Sequence, residues 1–151
     1  MDYTDELPDM FKNTPSKSTF SLTQEIEAQA VISDLSAQYP SWAMSDVKKL
    51  NRLYDEAYHT NGSTRNELIK GDLYRTAHDI KGQGATFGYP LMTELGAHLC
   101  TYIKNTSNFS DEKLSLIATD IHDMENVLEQ KLIGDGGQTG KQILNRLKSA
   151  D

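Results

Sequence analysis

Residues 73–88, Leu73 to Gly88, read LYRTAHDIKGQGATFG, and their spacing calls for a helix with two unlike faces. Leu73, Ala77, Ile80, Gly84 and Phe87 recur at steps of three and four, the stripe a helix turns toward a core. His78, Lys81, Gly82 and Ala85 recur at the same steps on a neighbouring face that is polar and low in bulk. A histidine there is open to solvent and to another protein. Lys81, one turn on, puts a cation beside it, and Gly82 has no Cβ to hold a partner away from the imidazole.

A glycine inside a helix costs about 0.5–1 kcal/mol relative to alanine. Gly82 and Gly84 both fall where the pattern is still helical. Gly84 sits on the core stripe, where it lets a second helix pack closely. Gly82 sits on the open face, where packing gives no reason for it. Close approach to His78 is the remaining reason.

The three-four rhythm continues outward from this stretch. Residues 1–19 contain Pro8 and Pro15 among polar residues and read as a mobile tail. Ser21-x-x-Gln24 reads as a capping box opening a helix with Leu22, Ile26, Ala30 and Leu35, which Tyr39-Pro40 ends. A second helix starts near Trp42 to Ser45 and carries Val47, Leu50, Tyr54 and Ala57, with Asn61-Gly62 as the turn after it. The helix bearing His78 starts either at a Thr64-x-x-Glu67 cap or, beyond Gly71, at Asp72. Gly88 stops it, and Pro90 suits the first turn of the next, whose stripe is Met92, Leu95, Leu99 and Tyr102 or Ile103.

Ser110, followed by Asp111 and Glu112, caps a helix carrying Leu114, Ile117, Ile121, Met124 and Leu128. GDGGQTG, residues 134–140, reads as a linker, and residues 141–151 as a short amphipathic helix with Ile143, Leu144 and Leu147. No stretch alternates as a strand would. The expected fold is all-α: an antiparallel up-and-down four-helix bundle in residues 20–133, its core in residues 43–132, with extra N-terminal and C-terminal helices.

At 151 residues the chain suits one domain with a real core. Its net charge of −7, with no basic stripe, argues against a nucleic-acid partner. No run approaches the roughly 18–20 apolar residues that cross a bilayer, and the acidic start MDYTDELPDM is not a secretory signal. Cys100 stands alone, which excludes an internal disulfide and fits a cytoplasmic location.

Two other chemistries do not fit the residues. A carboxylate-bridged di-metal bundle needs two Glu-x-x-His pairs and two further Glu residues. Here Glu56-x-x-His59 is one such pair, Glu94-x-x-x-His98 has the wrong spacing and His122-x-x-Glu125 is reversed. His59, His98 and His122 are therefore expected at the surface or half-buried. A phosphate loop fails as well, because Asp135 stands where its first glycine belongs and Gln142 replaces its hydroxyl.

His78-x-x-Lys81-Gly82 followed by Gly88 resembles the His-x-x-Lys-Gly-x-x-x-x-x-Gly signature of histidine-containing phosphotransfer (HPt) domains. AHDIKGQGATFGY is similar to the phosphoacceptor helix of the HPt domain in chemotaxis-type histidine kinases; Ala77, Ile80, Thr86 and Phe87 also fit, while Gln83 is larger than the small residue usual there. The resemblance covers about 15–30 residues.

It implies that His78 accepts a phosphoryl group at Nε2 from a response-regulator aspartate or a histidine kinase, hybrid kinases included, and donates it to another receiver aspartate. Lys81 would steady the phosphoryl oxygens and Gly82 would give steric access, with Tyr74, Arg75, Gln83 and Ala85 bordering the partner. Mg²⁺ would belong to the receiver, the chain holding no cofactor or metal of its own. No ATP-binding module is visible, so a phosphocarrier is expected rather than an enzyme. Two alternatives stay open: the phosphoacceptor part of a larger histidine kinase, and a receiver-binding adaptor that takes no phosphate.

Overall fold

The computed structural model describes residues 17–149, with side chains from Leu22 onward. Among them every regular element is helical: α1 (Lys17–Tyr58), α2 (Gly62–Leu68), a π turn (Ile69–Leu73), α3 (Tyr74–Gln83), a 3₁₀ turn (Ala85–Phe87), α4 (Pro90–Asn105), α5 (Asp111–Glu129) and α6 (Gly137–Ser149). None of the helices described is long and apolar enough to cross a membrane.

The described residues fall into two units, divided between Leu35 and Ser36. In the first, helix α1 is already formed at Lys17, and Leu22, Ile26, Val31 and Ile32 are exposed. Most of the tail expected over residues 1–19 lies outside the described residues. Its last three positions are helical, so Ser21 is not an N-cap as the capping-box reading had it. No glycine or proline falls between Lys17 and Tyr39 to interrupt the turns.

In the second unit the helix break expected at Tyr39-Pro40, with a new start near Trp42 to Ser45, does not occur. Pro40 lies inside α1. An interior proline forfeits a backbone hydrogen bond and crowds the preceding turn, but here the neighbouring side chains outweigh it. Tyr39 is buried, its ring stacked on Phe87 with centroids 5.4 Å apart and tilted against Tyr89 at 5.2 Å. Ala43, Val47, Leu50 and Ala57 continue its buried stripe without a change of phase. Local propensity yields to that packing.

The helix bearing His78 satisfies neither expected start. Helical structure begins at Gly62, whose φ of +58° suits the turn, and runs through a π turn instead of breaking at Gly71. Arg65, Ile69, Leu73 and Ala77 are all buried at four-residue steps. An α-helix would carry such a series about 40° further round at every step; one wider turn takes up the drift. Lys70 fastens this turn by donating to the Ile103 carbonyl at 3.1 Å, its ammonium 5.7 Å from the Phe109 ring centroid.

Arg65 is the buried link between chain segments. Its Nε donates to the Ala57 carbonyl at 2.9 Å, its Nη2 to that of Tyr58 at 3.2 Å and its Nη1 to that of Phe109 at 2.8 Å. It thereby satisfies carbonyls left open at the end of α1, and pairs with Asp111 at 3.0 Å.

Gly88 was expected to stop the helix bearing His78, but α3 ends five residues earlier, at Gln83, with Gly84 as its cap; Gly88, at φ +88°, ends the 3₁₀ turn that follows. Pro90 opens α4, as expected. Met92, Leu95, Leu99 and Ile103 are buried along α4, as are Leu114, Ile117, Ile121, Met124 and Leu128 along α5. Ser110 caps α5 by accepting from the Lys113 amide at 3.3 Å.

The expected linker 134–140 is shorter than its composition suggests, because α6 starts at Gly137 and not at residue 141. Asp135 Oδ1 accepts from the Gly137 amide at 2.9 Å, and a Cβ on Gly140 would stand 1.7 Å from the Asp135 carbonyl oxygen. Glycine is what lets this corner close.

A buried ionic network fastens α6. Asp120 is fully buried on α5; His98 Nδ1 lies 2.7 Å from its Oδ2 and Arg146 Nη2 2.8 Å from its Oδ1. Arg146 also reaches Asp123 at 2.7 Å. Burial holds the Asp120 carboxyl above the usual carboxylate range, and His98 and Arg146 offset that rise only in part. Both are good donors to an ionised carboxylate, which accounts for a charge at this depth.

Candidate functional site

His78 lies midway along α3 with its side chain exposed. The elements on either side explain why. Ala77 and Ile80 are buried on the stripe facing the core, which turns position 78 away from it. Among the described residues the ring's aromatic neighbour is Tyr74, one turn earlier, with centroids 6.2 Å apart and planes inclined at 32°.

Lys81 and Gly82 are exposed on the next turn. A Cβ built on Gly82 would meet nothing within 4 Å, whereas one on Gly84 would lie 2.7 Å from the Tyr89 carbonyl oxygen and 2.8 Å from the Thr93 amide nitrogen. The two glycines therefore have different jobs. Gly84 admits the start of α4; Gly82 leaves a notch beside the imidazole.

Of the four residues expected to border a partner, Gln83 and Ala85 are exposed and Tyr74 is half-buried. Arg75 is exposed and forms an ion pair with Asp72, one turn back in the π turn. Its charge is thus partly compensated within the chain.

Three residues of α4 that helical spacing alone does not single out also shape this surface. Thr93 Oγ1 donates to the Lys81 carbonyl at 2.9 Å and accepts from the Ala85 amide at 2.8 Å, closing the end of α3. Gly96 accommodates the Lys81 backbone; its absent Cβ would lie 2.8 Å from that amide nitrogen. Lys104 places Nζ 5.8 Å from the Tyr74 ring centroid. A glycine inside α4 and a hydroxyl three residues before it were the available signals for the first two. Lys104 looks like any solvated lysine until the two helices are paired.

Chemically, the arrangement offers a nucleophile that a large reactant can approach, a cation on the same face, and a firm helical support. Phosphoryl transfer asks for in-line access and charge stabilisation more than for covalent help from the protein. The chain matches no protein-family model. No curated protein and no solved structure matches it either.

Proposed function

We propose that the chain is a phosphorelay intermediate of the HPt type, accepting a phosphoryl group on His78 and passing it to or from an aspartate of a response-regulator receiver domain. The observation that carries this reading is the exposed His78 ring with Lys81 on its face and open space over Gly82. The helices of residues 36–149 fit an antiparallel four-helix bundle, with α6 as the C-terminal addition.

In the transfer, the P–O bond of an aspartyl phosphate breaks as a P–N bond forms to Nε2 of His78, and the aspartate leaves as a carboxylate. The proton on Nδ1 passes to solvent once the ring is phosphorylated. Lys81 balances charge on the phosphoryl oxygens. Gly82 admits the partner's loop, and Mg²⁺ stays with the receiver. The chain acts as a carrier in the cytoplasm, phosphorylated by a kinase or receiver and not by itself.

Incubation with phosphorylated receiver domains tests the reading. A carrier removes the label from a receiver and holds it. A receiver-binding adaptor forms a complex and leaves the label where it was.

A further inference from the structure

Helix α3 carries His78 along the border between two kinds of charge. On the α4 side, Lys104 stands over Tyr74, and Tyr74 lies against His78. Lys81, its backbone against Gly96 of α4, is exposed on that same flank. Both ammonium groups act on the buried Cys100 thiol, lowering its pKa against the burial that raises it. Two cations thus share one edge of the site.

The other edge is acidic. Asp79 follows His78 by about 100° around the helix, away from the α4 side, and is exposed. Asp46, half-buried on α1, lies within reach of its charge. Burial and then Asp79 raise the Asp46 carboxyl, while Lys49 lowers it. Arg75, between the two edges, is paired with Asp72.

We propose that this division of charge fixes the orientation in which a protein bearing an aspartyl phosphate docks over His78, its acidic edge on Lys81 and Lys104 and its basic edge on Asp46 and Asp79. The inference rests on His78 as phosphoryl acceptor and adds the kind of partner surface it takes. A face with one sign of charge attracts a partner in any rotation; a divided face favours one. Electrostatic complementarity acts chiefly on the encounter rate and on register, and fades with salt. In-line attack tolerates little rotation, so register bears directly on transfer.

The test compares two donors to the full chain: phosphoramidate, which needs no docking, and phosphorylated receiver domains. The readout is the ratio of the receiver-driven to the phosphoramidate-driven rate of His78 labelling. Lys104→Glu and Asp46→Lys should each lower that ratio about tenfold at low ionic strength, with the loss shrinking in high salt. Asp46→Asn should lower it less, and Lys104→Arg should preserve it.

An Asp46→Lys chain with a raised ratio would overturn the proposal, because the face would then act as a simple attractor for an acidic partner. Ratios unchanged in both reversals would overturn it too. Failure of both donors to label wild-type His78 is a different result, and defeats the assignment of His78 as acceptor; labelling by phosphoramidate alone leaves that assignment standing and overturns the docking proposal.

Discussion

The backbone of Lys81 rests on Gly96: a Cβ at Gly96 would lie 2.8 Å from the Lys81 amide nitrogen and 2.9 Å from its Cα. The cation beside His78 is therefore held at a helix contact that tolerates no side chain. Because the opposing atoms are backbone, one of the two helices must move when that space is filled.

Gly96→Ala should destabilise the chain by about 1–3 kcal/mol, the usual cost of overpacking, despite the better helix propensity of alanine. It should also slow transfer through His78 by displacing Lys81. Thermal denaturation and receiver-driven labelling check both halves. An unchanged melting midpoint would mean that the contact is looser than its distances indicate.

Gly82 should behave in the opposite way. Nothing lies within 4 Å of its missing Cβ, so Gly82→Ala should stabilise the helix by about 0.5–1 kcal/mol. Gly82→Gln should fold well yet cut the receiver-driven rate about a hundredfold by holding the partner off. A stable Gly82→Gln chain that transfers at the wild-type rate would remove the role assigned to the notch.

Tyr39 gives a prediction about alkaline stability. Its hydroxyl is buried and has no hydrogen-bond partner among the described residues. Burial, then Asp46 and Tyr89, pushes its pKa from 10.0 up to about 12. The folded chain thus holds this proton more tightly than the unfolded chain. The resulting stability is fully present below pH 10 and is lost as pH rises through about 12. Tyr39→Phe keeps the contacts with Phe87 and Tyr89, should stabilise the chain by about 1 kcal/mol, and should flatten the loss above pH 10. Denaturant midpoints measured on both sides of that window decide it.

The network at α6 predicts non-additive effects. Arg146→Met should cost about 3 kcal/mol, because Asp120 remains buried with only part of its compensation. Adding Asp120→Asn should recover much of that loss, since the uncompensated charge is then gone. Chemical denaturation of the two single variants and the double variant measures the coupling. Simple addition of the two losses would show that the ion pair contributes little.

Much of the described fold was legible in residue spacing. The stripes of α3, α4 and α5 lie where three-four periodicity put them, and Gly88, Pro90 and Ser110 mark boundaries for local reasons that sequence carries. The misreadings occurred where distant packing overrode local preference. Pro40 stays inside α1 because Tyr39 is held by Phe87 and Tyr89, residues far along the chain. Gly71 sits in a π turn, not a break, because Arg65 and Leu73 must both face inward.

At the candidate site, the exposure of His78 and the emptiness over Gly82 followed from helical geometry. The contributions of Thr93, Gly96 and Lys104 did not, since they arise from how α3 and α4 meet. The same holds for the pairing of His98 with Asp120. Single-helix periodicity brings His98 only to a half-buried position and says nothing of the acid on another helix.

Labelling of wild-type and His78→Gln chains by phosphorylated receiver domains tests the central claim most directly. The wild-type chain should take up acid-labile, alkali-stable phosphate, and the His78→Gln chain should take up none while keeping its helical circular dichroism. A well-folded His78→Gln chain labelled to the wild-type extent would contradict the account.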